Sequence, residues 1–288
     1  MIREVENREM PKLLVIDKNR FQGIPSVLLL EFVKNYRVVL PYSLCVECLM
    51  SEDDKARRSA KDPVVLLSRL DAVVKAGAYV GYSSAKLFQK ERETLRAVGS
   101  VVDKKSTQNF WEGTSNLERD FVQEEAKCCQ ASFKPLINRS LQFAMTYFEN
   151  VQKKDLCSEF RGDREKCDIE RFKKWLEVAD KMKDALLAHS FPDIASTIET
   201  DWYIWQFVRI WWAWVIDWAC RRNYSGPSIE NQDISNDIYD MEYVAYLSRA
   251  DGILTRDKRL VVPLAKAAFP DKVVFRCIED VPASYKTE

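Results

Sequence analysis

The chain has 288 residues, enough for one large domain or two modest ones. Lysine plus arginine and aspartate plus glutamate number 44 each, so overall charge gives no footprint for nucleic acid; such a partner would need a local basic patch or a bridging cation. The apolar share of 47% excludes a disordered chain, and eight scattered cysteines exclude a disulfide-stapled scaffold.

The first ten residues are charged and lack the apolar core of a secretory signal. With the cysteines read as reduced thiols, the expectation is a cytoplasmic protein. Leu13-Leu-Val-Ile-Asp17 then reads as a short buried strand ending in an acid. Pro25 begins a helix carrying Val27, Leu28, Leu30, Glu31 and Val33. Residues 37–40 form a second strand, and Pro41 leads into a helix containing Glu47. This alternation predicts a parallel sheet with crossover helices.

The middle reads differently. Asp62-Pro63 starts a helix with Val64, Leu67, Leu70, Val73 and Val74, and Ala78–Val80 or Val101–Val102 supplies an extra strand. Helical patterns follow near 84–97, 115–130, 136–154, 168–189 and 195–222. Composition shifts at 103–114, and Ser225-Gly-Pro227 breaks the pattern. The expected organisation is an α/β core of residues 1–102 and 228–288, split by a helical insertion at 103–227. The core pattern returns at 237–276 as helix, strand 252–256, helix through Lys266 and strand 272–276.

The segment 202–218 holds six tryptophans. Gln206, Arg209 and Asp217 interrupt its apolar run, which argues against a membrane span. Gln206, Arg209, Ala213, Asp217 and Arg221 recur at steps of three and four, which predicts a core helix with one thin solvated edge. A homodimer interface and an aromatic platform for bases are the alternatives. The mixed charges of 153–184 read as a solvated helical face.

Several chemistries find no support. Cys45 and Cys48 form a lone pair without two further zinc ligands, and His189 is the only histidine. No glycine-lysine phosphate loop and no GxGxxG follows a strand. Asp17-Lys18-Asn19 lacks the second aspartate of a haloacid-dehalogenase-type phosphoaspartate site.

Asp17, Glu47, Asp237, Asp240 and Asp257 all follow strands or sit on the adjoining helices. Ligands of open parallel sheets lie beyond the carboxyl ends of the strands. Acids gathered there would repel each other without a cation, and Mg2+ or Mn2+ suits all-oxygen ligands. Asp251 and Asp257 bracket one strand on the order of 20 Å apart, so Asp251 falls outside the cluster as a turn residue. Glu242 points away on helical spacing. Asp237 shares a helix face with Asp240 and serves either as a further ligand or as a helix cap.

Val15-Ile-Asp17-Lys-Asn19, Glu47 in the next helix, Asp240 opening a late helix, and Leu254-Thr255-Arg-Asp257 resemble, in order and context, the PIN-domain nucleases. The resemblance covers roughly 1–60 and 230–276. It implies a PIN-like three-layer α/β/α sandwich with a mainly parallel sheet. It also implies a Mg2+- or Mn2+-dependent endoribonuclease site cutting single-stranded RNA. Asp17, Glu47, Asp240 and Asp257 would be catalytic metal ligands, with Asp237 an optional fifth. Asn19 and Thr255 would orient them. Lys18, Arg20, Arg256 and Lys258 beside the acids are candidates for holding substrate phosphate. Two features depart from the family. Lys18 stands where a small residue is usual, either weakening metal binding or holding a phosphate, and the insertion is far longer than such a domain needs. The alternative expectation is a weakly active scaffold whose insertion binds a protein partner.

Overall fold

The computed structural model describes residues 12–48, 64–111, 139–140, 142, 164–221 and 233–287. The expected helices at 115–130 and 136–154 fall almost wholly outside these. Five short strands form one sheet: β1 Leu14–Ile16, β2 Val38–Leu40, β3 Tyr79–Val80, β4 Gly252–Leu254 and β5 Val273–Phe275. Their order is β3-β2-β1-β4-β5 and every neighbouring pair is parallel. β1, β2 and β4 are buried along their whole length, which explains why they read as runs of branched apolar residues without alternation.

The order reverses between β1 and β4. β1 is followed leftward by β2 and β3, and β4 rightward by β5. Such a reversal opens a crevice beyond the carboxyl ends of the two central strands. Val15 pairs with Ile253 and Ile16 with Leu254, so the chain leaves both strands side by side at Asp17 and Thr255. The Asp17 amide donates to the Leu254 carbonyl at 3.2 Å, holding that alignment one residue further. Gly252 opens β4 because a β-carbon there would lie 2.9 Å from the Val273 carbonyl oxygen.

Helices fill the connections. α1 (Lys18–Gly23) follows β1 directly, and α2 (Ser26–Asn35) leads to β2. The sequence reading missed α1 because its polar residues show no helical stripe. Asp17 starts it by accepting the Arg20 amide at 2.8 Å as N-cap. α3 spans residues 42–48. α4 (Val64–Lys75) precedes β3, α5 (Ser84–Thr94) and α6 (Lys104–Trp111) follow it, and α2, α4 and α6 pack in succession. Val102 makes only an isolated antiparallel bridge to Gly81, so Tyr79–Val80 is the extra strand.

The expected helix at 168–189 is two: α7 (Arg164–Lys181) and α8 (Lys183–Ser190), broken at Met182. The tryptophan helix α9 starts at Tyr203, later than expected, and runs to Arg221. Its first amides, those of Tyr203 and Ile204, both donate to the fully buried Glu91 carboxylate of α5 at 2.8 Å. A side chain distant in sequence thus does the work of a helix cap. α10 (Asp233–Ala245) and α11 (Val261–Ala268) flank β4 in sequence.

The solvated stripe expected on α9 is a correction. Ala213 and Asp217 are fully buried, because α7 covers that edge. Asp217 accepts from the Arg171 guanidinium and from Trp175 Nε1 at 3.2 Å, and Arg209 pairs with Asp180 at 2.9 Å. The polar stripe is a seam between two helices. Of the 153–184 stretch read as a solvated face, 153–163 lie outside the described residues, and the rest is in part a contact surface, with Glu165 pairing to Lys266 at 3.0 Å and to Arg276. The five α9 tryptophans and Trp202 just ahead of it are all buried, so none offers a free ring to a base. No described helix is long and apolar enough to cross a membrane.

Candidate metal centre

Asp17 sits at the β1–β4 crevice, buried. Oδ1 accepts the Arg20 amide, and Oδ2 accepts the Thr255 hydroxyl. Thr255 Oγ1 in turn accepts the Asp257 amide at 3.0 Å. This bond series ties the end of β1 to the end of β4. Burial raises the Asp17 carboxyl to about 6; Thr255 and the Arg20 amide oppose the rise, and Asp257 and Glu47 add to it.

Glu47 on α3 is buried and raised, again first by burial, with Lys18 and Tyr243 pulling it back. Lys18 Nζ lies 3.2 Å from Glu47 Oε1, and the Tyr243 hydroxyl donates to Oε2. Tyr243 was missed in the sequence reading. Its signal was available: it lies three residues after Asp240 and shares that helix face.

Asp240 is half-buried and sits in the body of α10, not at its start. The helix already begins at Asp233, about two turns ahead of Asp240. Its carboxyl is pushed well above the ordinary range by burial, then by Asp257, Glu47, Asp237 and Asp17. No described residue donates a hydrogen bond to it. Asp257 Oδ1 accepts the Arg259 and Leu260 amides at 2.7 and 2.9 Å, and its Oδ2 makes no hydrogen bond with a described residue.

Asp237 is committed elsewhere. It accepts from Trp214 Nε1 at 3.1 Å and from Arg259 at 3.0 Å, joining α9 and the start of α11 to α10. With α10 beginning at Asp233, it is not the helix cap either. Asp251 stands outside the cluster as expected, accepting the Leu13 amide at 2.7 Å at the opposite end of β4. Glu242 faces Tyr203 and Tyr246, also away from the acids.

The other expected roles divide. The Thr255 hydroxyl donates to Asp17, one of the acids it was expected to orient. Asn19 is exposed and bonds to none of the acids among the described residues. Arg256 and Lys258 are exposed at the rim. Arg20 is buried, not displayed. Burial and then Arg256 lower its guanidinium from the ordinary value, against Cys277, Glu279 and Asp17. Cys45 and Cys48 are buried and form no disulfide with a described residue.

As a donor set, four carboxylates and no softer ligand fit a hard divalent ion in kind. Among the described residues, no group of three or more histidine, cysteine, aspartate or glutamate side chains closes into a ready ion cage. The acids face one another electrostatically, and Lys18 is the positive charge already beside Glu47. Comparison with protein-family models, curated proteins and solved structures finds no match to this chain.

Proposed function

We propose that this protein is a PIN-like, metal-dependent endoribonuclease acting on single-stranded RNA, with Asp17, Glu47, Asp240 and Asp257 holding Mg2+ or Mn2+. The observation that carries the reading is Asp240. Burial, and after it the charges of Asp257, Glu47, Asp237 and Asp17, drive its carboxyl strongly towards the protonated form, and it accepts no hydrogen bond from a described residue. A carboxylate in that position calls for a positive partner from outside the described chain. A bound ion would neutralise the cluster and supply the Lewis acidity needed for water to attack a phosphodiester. Thr255 fixes the Asp17 carboxylate, and Tyr243 fixes that of Glu47. Arg256 and Lys258 at the rim present charge to phosphate.

The test is cleavage of single-stranded RNA with Mn2+ by wild type, Asp17→Asn and Asp257→Asn. Wild type should cut, and each variant should lose at least a hundredfold in rate. Equal rates in all three reject the assignment.

The ion pair Lys18–Glu47 favours a second reading, a scaffold with a weak site whose helical insertion binds a protein partner or a second copy. Mn2+ separates the two. A working site gains thermal stability from the ion by mass action, and Asp17→Asn loses that gain. Absence of any shift in wild type supports the scaffold.

A further inference from the structure

A cleft of about 940 Å3 lies along the β3 edge of the sheet, apart from the acids. β3 pairs with a strand on one side only, β2; its other side carries the isolated bridge from Gly81 to Val102 and the Val80 amide, which donates to Thr107 Oγ1 of α6 at 2.9 Å. The cleft runs from residues ahead of β2 and β3 to those beyond β3, between α2, α5 and the start of α6.

Its lining is one-signed. Lys34, Arg37, Lys90, Arg96 and Lys104 contribute side chains, and no aspartate or glutamate lines it among the described residues. In a chain with as many acids as bases, five cations without one acid form a local positive patch. Lys34, Arg96 and Lys104 are exposed and pair with no described carboxylate. The two other cations of α5 are taken up, Arg92 by Asp193 and Lys86 by Asp103.

Its rings are arranged with the charges. Tyr36, Tyr79 and Tyr82 line the same cleft and are half-buried. Lys90 Nζ lies 3.8 Å from the Tyr82 ring centre, and the Arg37 guanidinium lies 5.9 Å from that of Tyr79. Tracking a phosphate backbone with cations while bases meet tyrosine faces is how sequence-tolerant single-strand binding works. The volume stands near the upper end of the ~300–1,000 Å3 usual for small-ligand pockets, which suits a stretch of strand better than one nucleotide.

We propose that this cleft along the β3 edge is a binding site for single-stranded nucleic acid, holding phosphates on Lys34, Arg96 and Lys104 and bases against Tyr79 and Tyr82. The choice of RNA as the strand rests on the nuclease reading; the charges and rings do not. The site would hold the strand outside the catalytic acids and so set affinity without touching the reacting bond.

The experiment is fluorescence anisotropy of a labelled oligouridine with the full chain in chelator, so that no cutting occurs. Wild type should bind. The triple charge reversal of Lys34, Arg96 and Lys104 to glutamate should lose at least tenfold in affinity. The slope of log affinity against log salt should flatten by roughly two, at about 0.7 per lost phosphate contact. Tyr79→Ala with Tyr82→Ala should lose about tenfold or more, at ~1–3 kcal/mol per stacked base. Unchanged circular dichroism checks the fold of each variant, and the milder Arg96→Gln should lose a smaller part of the affinity in the same direction. Wild-type affinity in the triple variant overturns the proposal, as does a loss that the tyrosine pair does not share, which would leave only an anion patch. Binding that needs the cleft without Mn2+-dependent cleavage sinks the nuclease reading alone; cleavage with an indifferent cleft sinks this proposal alone.

Discussion

At the scale of single residues, the acid site is built at a cost to the fold. Asp17 has its carboxyl raised to about 6 by burial, against 3.8 ordinarily. Between those values the folded state holds more protons than the unfolded one. Stability from this group is therefore full at acid pH and is lost as pH rises through about 6. Asparagine caps a helix as well as aspartate and carries no charge. In chelator, Asp17→Asn should melt higher than wild type at pH 8. The advantage should shrink as pH falls from 6 towards 4, measured by thermal denaturation across that range. A variant no more stable than wild type at pH 8 would show that the buried charge costs nothing. The same logic reads Lys18: a cation at 3.2 Å from Glu47 offsets part of that group's burial in the absence of any ion.

At the scale of elements, the α7–α9 seam is the most exacting join. Asp217 is fully buried and held by Arg171 and Trp175 Nε1. Removing one partner of a buried pair leaves the other charge uncompensated, at about 3–5 kcal/mol. Asp217→Ala should lower unfolding free energy by about that amount in urea denaturation, and a loss under 1 kcal/mol would mean water relieves Arg171. This element also shows what the sequence reveals. The i, i+3, i+4 stripe on α9 was legible, but periodicity reports that a face is polar and not what covers it. The strands were legible because full burial leaves unbroken branched runs at 14–16, 38–40 and 252–254. Asp17 and Asp257 were legible because they follow strands that topology sets side by side, whereas Glu47 and Asp240 lie within helices. Glu91 was not: its partners Tyr203 and Ile204 come 112 and 113 residues later, and nothing local marks it. Nor was the β3-edge cleft, whose cations come from three separate stretches, 34–37, 90–96 and 104.

At the scale of the whole molecule, one hydrophobic core takes in the strands together with Trp175, Trp205 and Trp214 of the middle segment. Glu91, Asp237 and Glu165 join the two parts by buried or half-buried polar bonds. The described middle should therefore unfold with the sheet. Amide exchange should show the slowest amides of β1 and α9 opening with the same free energy and the same urea dependence. An earlier, separate opening of α9 would mark it as an independent unit. The position of β1 carries a further consequence. It is the centre of the sheet, yet the residues that close its second side lie 238 positions further on. During synthesis, β1 and β2 emerge long before β4 does, so a growing polypeptide carries a bare, fully apolar strand flank for most of its time on the ribosome. Such flanks recruit foreign strands. Expression yield should therefore depend more on holdase supply and translation speed than on the strength of the finished fold.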